Sequence, residues 1–113
     1  MWPVHRNCPS ERLGKLDYLI LSTMALTAEA YGLAIHRKLR AVVGDEQAVP
    51  LATVYVTLSR LELKGLCRSY LADEPAIYHR RPKRFYEVTA EGNAVLKHFM
   101  IVVLELLKNG PWN

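Results

Sequence analysis

Apolar residues recur at helical spacing in four stretches of the chain and fill two short strand-like stretches between the third and fourth. Leu13, Leu16, Ile20 and Met24, with Leu19 and Leu26 beside them, predict a first helix over about residues 11–26. In the second pattern Ile35, Leu39 and Val42 share a face away from His36, Arg37, Lys38 and Arg40, and Gly44 supplies a C-terminal stop, which predicts a helix over about 30–43. After a polar connection, Leu51, Val54, Leu58 and Leu61 form the buried stripe of a third helix over about 51–64, ended by Gly65. Its opposite face holds Thr53, Thr57, Arg60 and Lys64, whose spacing predicts a polar, partly cationic strip projecting from the core. Leu66–Leu71 and Arg84–Val88 are rich in strand formers and flank a loop with Pro75 and Pro82, the pattern of a hairpin.

Thr89 offers an N-cap to a last helix over about 90–108, with Glu91 at the positive end of its dipole. Val95, Phe99, Val102, Val103 and Leu106, together with Leu96, Met100, Ile101, Leu104 and Leu107, cover most of its circumference. One small domain has too little surface to bury such a helix, so a second chain is expected to cover it. The expectation is a homodimer with an interface on Val95, Phe99, Val102, Val103 and Leu106. Residues 1–12 lack periodicity and read as an arm, 13–89 as the folded domain, and 90–113 as a dimerisation helix and tail.

Composition adds exclusions. Half of the 113 residues are hydrophobic and 23% are charged, the balance of a folded domain and not of a disordered chain. The longest apolar run, Phe99–Leu104, is far below the roughly 20 residues that span a bilayer, and the N-terminus has no secretory pattern. A cytoplasmic chain with no membrane contact is expected. Cys8 and Cys67 form no CxxC pair, and His36, His79 and His98 are isolated, so neither a disulfide framework nor a metal site is expected. Cys67 reads as a small buried residue. Ser10, Ser22, Ser59 and Ser69 lie in no nucleophile motif, there is no glycine-rich phosphate loop, and the carboxylates share no predicted surface, so no catalytic residue and no cofactor is assigned. Trp2, Trp112 and Phe99 could stack on a flat ligand, but Phe99 reads as interface core and the two tryptophans as chain-end residues, so no effector is assigned.

The net charge of +4 resides in one segment: seven basic and three acidic residues lie between Arg60 and Tyr86, and the remainder is balanced. Three helices followed by a two-stranded hairpin form a mainly α fold, a winged helix-turn-helix plus a C-terminal dimerisation helix. In that fold the third helix enters the major groove and the hairpin lies on the backbone. Thr53, Thr57, Arg60 and Lys64 supply hydroxyl and cationic donors for bases and phosphates, and Arg80, Arg81, Lys83 and Arg84 supply phosphate attraction. Tyr55 can either donate its hydroxyl to a phosphate or bury its ring against a neighbouring helix. Double-stranded DNA is the expected partner; a winged-helix module binding an acidic protein is the alternative.

The stretches Leu13-Gly14-Lys15-Leu16-Asp17-Tyr18-Leu19-Ile20-Leu21 and Ala30-Tyr31-Gly32-Leu33-Ala34-Ile35 resemble the opening of the PadR family of bacterial transcriptional regulators. Residues 52–66 are similar to that family's recognition helix, and 81–92 to its wing and the start of its last helix. Ala52 and Val56 depart from the Gly and Pro that many members carry. The resemblance, over about residues 13–98, implies a homodimeric DNA-binding repressor that, as a short form, dimerises through one C-terminal helix; with helix three in the major groove, a two-fold axis between subunits makes the expected operator an inverted repeat. It also implies that Thr53, Tyr55 and Arg60 face DNA and that the basic wing contacts the backbone.

Overall fold

Helix α1 (Lys15–Leu26) begins four residues later than the expected start near residue 11, because Gly14 is extended and acts as the N-cap. The Asp17 carboxylate accepts a hydrogen bond from the Gly14 backbone N–H at 2.9 Å, which satisfies a donor that no helical carbonyl can reach. The computed structural model describes residues 13–72 and 83–111. Helix α2 (Gly32–Val43) stops at Gly44, whose φ of 87° favours glycine. A single 3-10 turn, Asp45–Gln47, leads to Pro50, the N-cap of α3 (Leu51–Leu63). Helix α3 ends in a Schellman motif: Gly65 turns at φ 77°, its N–H donates to the Glu62 carbonyl at 3.0 Å, and the Leu66 N–H donates to the Leu61 carbonyl at 3.0 Å.

Strands β1 (Cys67–Leu71) and β2 (Arg84–Val88) pair antiparallel, with Cys67 opposite Val88 and Leu71 opposite Arg84. The segment before α2 extends this sheet by one rung: Tyr31 bridges Phe85, and the Tyr86 N–H donates to the Ala30 carbonyl at 2.8 Å. The wing is therefore fastened to the entry of α2. Helix α4 (Ala90–Lys108) starts at the Thr89 cap, whose hydroxyl accepts from the Gly92 N–H at 3.1 Å.

The core is one cluster in which Ile20, Leu21, Ile35, Leu58, Leu61 and Leu66 are fully buried. Helix α1 lies at its centre, against α2, α3, β2 and α4. That position explains why Leu21 and Thr23 are buried along with the expected stripe, while Leu26 at its last residue is exposed. On α2 the inward row ends at Val43, which packs against the core, while Val42 is exposed. Cys67 is buried as expected. Burial, aided by the nearby Glu62 carboxylate, pushes its thiol up to about 12, so at neutral pH it is protonated and a poor nucleophile.

The first turn of α4 approaches the α3–β1 junction so closely that a Cβ on Gly92 would overlap the Leu66 carbonyl oxygen and strike the Val88 side chain. Because one of these obstacles is backbone, Gly92→Ala should destabilise the fold by about 1–3 kcal/mol. Urea unfolding checks this, and an unchanged midpoint would contradict the close approach.

Candidate nucleic-acid interface

Helix α3 turns Val54, Thr57, Leu58 and Leu61 into the core. Its outer residues are Ala52, Tyr55, Val56, Ser59, Arg60, Glu62 and Leu63, with Thr53 and Lys64 half-buried at the margin. The polar strip expected from spacing is thus broken at two places. Thr57 is only 1% exposed, and its hydroxyl donates to the Thr53 carbonyl at 2.9 Å, which satisfies it inside the helix. Arg60 turns toward α1, where its guanidinium meets the Asp17 carboxylate at 2.5 Å. Asp17 is 4% exposed and the Arg60 side chain 44%, so this pair ties α1 to α3 at the margin of the surface. Spacing along the chain does not reveal Asp17, because its partner lies 43 residues away.

Of the two readings of Tyr55, the structure shows the packed ring. Its ring packs over Gly32 in the first turn of α2, where a Cβ would collide with the ring and the hydroxyl, yet nearly half of the residue remains exposed. Gly32 is a second residue that spacing did not single out. The third is His36, whose Nε2–H donates to the Val49 carbonyl at 2.9 Å and so holds the segment that feeds Pro50 and α3. Among the described residues its Nδ1 is buried with no hydrogen-bond partner. Among the described residues, no group of His, Cys, Asp or Glu side chains could hold a metal ion.

At the wing, charge is partly neutralised locally. Arg68 pairs with Glu87 at 2.5 Å, and Glu62 accepts from both the backbone N–H and the hydroxyl of Ser69. Arg84 donates to that Ser69 hydroxyl at 3.0 Å and stays exposed, as does Lys83, whose Nζ sits 4.4 Å from the centre of the Tyr31 ring. Phe85 stands edge-on to Tyr31 and is stacked with Tyr70, making a firm base for these cations. Arg80 and Arg81 lie outside the described residues, as do the N-terminal arm, His79, Trp2 and Trp112.

Helix α4 divides into two parts. Val95, expected at a dimer interface, is 6% exposed and belongs to the core of its own chain, because the close seat at Gly92 lays the first turns of α4 on the domain. Further along, Phe99 stacks on Tyr18 of α1 with ring centres 3.9 Å apart, and Val103 is half-buried. Met100, Ile101, Val102, Leu104, Leu106 and Leu107 are exposed within the single chain. An open apolar groove of about 410 Å³ runs between α1 and α4, lined by Ala25, Leu26, Leu96, Phe99, Met100 and Val103 among others. Among the described residues, no helix is long and apolar enough to cross a membrane.

Three packed helices and an antiparallel wing fastened to α2 define a winged helix-turn-helix. Residues 20–98 match the family described as the transcriptional regulator PadR-like family, and the chain belongs to it. That is a family of transcription regulators, not of enzymes. A PadR-like transcription factor from Bacteroides fragilis has a similar structure, with a TM-score of 0.70 at 24% identity over 88% of this chain and 90% of that one. A PadR family regulator from Clostridium difficile gives 0.63 at 24% identity over 84% and 97%. Bacillus subtilis PadR, solved in complex with operator DNA, gives 0.65 at 21% identity over 77% of this chain and 47% of that one. Comparison with curated proteins returns no match.

Removing Arg60 strands the buried Asp17 charge. Arg60→Ala should cost about 1–2 kcal/mol, between the values for exposed and fully buried pairs. In a urea-denaturation double-mutant cycle with Asp17→Ala, the double variant should be destabilised by less than the sum of the two single effects, and strict additivity would dissolve the tie.

Proposed function

We propose that the protein binds double-stranded DNA as a homodimeric repressor, with α3 of each subunit in the major groove of an inverted-repeat operator and the wing along the backbone. The observation that carries this reading is the outer face of α3. Ala52, Tyr55, Val56 and Ser59 are exposed, while the same helix is fixed from behind by its core stripe, the Asp17–Arg60 pair and the His36–Val49 hydrogen bond. A rigid helix with an uncovered face, flanked by Lys64, Lys83 and Arg84, suits a groove whose walls are phosphates. The complex of Bacillus subtilis PadR with operator DNA supports the same reading by shared fold. Tyr55 then directs its hydroxyl at a phosphate, Thr53 lies at the groove margin, and Arg80, Arg81, Lys83 and Arg84 supply sequence-independent attraction. Thr57 and Arg60 are assigned to holding α3 in place.

Dimerisation rests on the exposed apolar half of α4 and the adjoining groove on α1, which together form a continuous apolar patch that a second α4 would cover. A two-fold axis through α4 sets two copies of α3 about one helical turn, roughly 10 base pairs, or a multiple of it apart. A dimer seated on a promoter excludes polymerase, which gives repression. The alternative of an acidic protein partner is separated by mobility shift: specific complexes should survive heparin, which would strip a general polyanion binder.

Replacing Arg80 and Arg81 by Ala should weaken specific and random duplexes alike and lower the salt slope by about one for each phosphate that is no longer neutralised. An unchanged slope would remove the wing from the interface. Val103→Glu places a carboxylate in the proposed subunit contact, at a cost of several kcal/mol if it stays unpaired. Sedimentation should show monomer or aggregate, and an intact dimer would locate the contact elsewhere.

A further inference from the structure

From Leu51 to Ser59 helix α3 contains no charged residue and no Asn or Gln. Its exposed residues there are Ala52, Tyr55, Val56 and Ser59. Ala52, Val56 and Ser59 follow one another at steps of four and three, so they lie in a single row along the helix. Val56 is 63% exposed, an unusual position for a β-branched apolar side chain on a helix whose inward residues Val54, Leu58 and Leu61 are fully buried. The first charged residue of α3, Arg60, is held by Asp17.

This composition restricts how bases can be read. Guanine is recognised in the major groove by paired donors from Arg or Lys, and adenine by the amide of Asn or Gln. The exposed row supplies neither. It offers methyl groups from Ala52 and Val56 and a lone hydroxyl from Ser59. Thymine is the base that presents a methyl group, at C5, in the same groove. Lys64 follows this row at the end of α3, Lys83 sits over Tyr31 beside the Gly32 seat of Tyr55, and the exposed Glu62 is engaged by Ser69, which also accepts from Arg84. An apolar centre with cationic margins is complementary to base edges between phosphate walls.

We propose that α3 selects its site by apolar contact, with the Val56 and Ala52 methyl groups packed on the C5-methyl groups of thymines. Each half-site is then defined by thymine positions, not by a hydrogen-bonded guanine. This rests on α3 being the DNA-reading element, and the test separates the two claims.

Duplexes are selected from a random pool with the full-length chain, and the tightest is resynthesised with deoxyuridine at each thymine in turn, which deletes one methyl group and keeps the base pair. At one or two thymines per half-site the affinity should then fall about fourfold. Val56→Ala should weaken the thymine duplex by a similar factor and abolish the sensitivity to deoxyuridine at those positions. Its circular dichroism and melting should match the parent, since Val56 packs on little of its own chain. A selected duplex insensitive to deoxyuridine at every thymine would overturn methyl reading and leave DNA binding standing. An equal weakening of thymine and deoxyuridine duplexes by Val56→Ala would also overturn it. Failure to enrich any duplex would defeat both claims.

Discussion

Asp17 is buried, and the structure meets the requirement of its carboxylate from two sides. One oxygen takes the Gly14 N–H and starts α1, and the other takes the Arg60 guanidinium and fixes α3 against α1. A buried charge tolerates little displacement of its partners, because any gap leaves it unsolvated. Helix α3 therefore cannot roll on α1 without breaking that contact. Its remaining freedom is removed at the other end, where His36 holds the carbonyl of Val49 one residue before the Pro50 cap. The outer row of α3 is presented in one orientation because both ends of the helix are tied to other elements.

Tyr55 and Gly32 extend this arrangement to the surface. The ring of Tyr55 needs the space that a side chain at Gly32 would fill, so the placement of an exposed aromatic on α3 depends on the first turn of α2. That turn is in turn bound to the wing through Tyr31, Phe85 and the Ala30–Tyr86 hydrogen bond. Helix face and wing are joined by short-range packing, and a rigid relation between the two is what a groove-and-backbone contact requires.

Much of the architecture was legible in the sequence because the strongest signals are local. The Thr89 cap and the long apolar pattern place α4 at 90–108, the span the structure shows, and Gly44 and Gly65 end α2 and α3 where chain direction changes. What periodicity could not supply is which polar or apolar residue a neighbouring element covers. Thr57 and Arg60 lie on the expected helical spacing with Thr53, but Thr57 is buried in the assembled domain and Arg60 is bound by Asp17 of α1. Val95 shares the apolar girdle of α4 by spacing, and only the tight seat of Gly92 assigns it to its own core. Val42 and Val43 are adjacent residues of the same type, and the approach of α1 to α2 decides which one is inside. Such choices depend on contacts between residues distant in sequence, which patterning within one helix does not encode.

The junction at Gly92 has one more consequence. Thr89 donates its backbone N–H to the Leu66 carbonyl at 3.1 Å and its hydroxyl to the Gly65 carbonyl at 2.7 Å, so α4 leaves the domain directly from the turn that ends α3. Backbone contacts at the root of a 19-residue helix make it a stiff rod clamped at one end. In the proposed pair of subunits, such a rod works as a ruler: the phase between the two reading helices is set by how many residues separate the clamp from the crossing point. Each residue inserted there would turn the partner by about 100° around the rod and advance it by about 1.5 Å. In that proposed pair, the spacing of the half-sites would be written in the length of a helix that need not touch DNA at all.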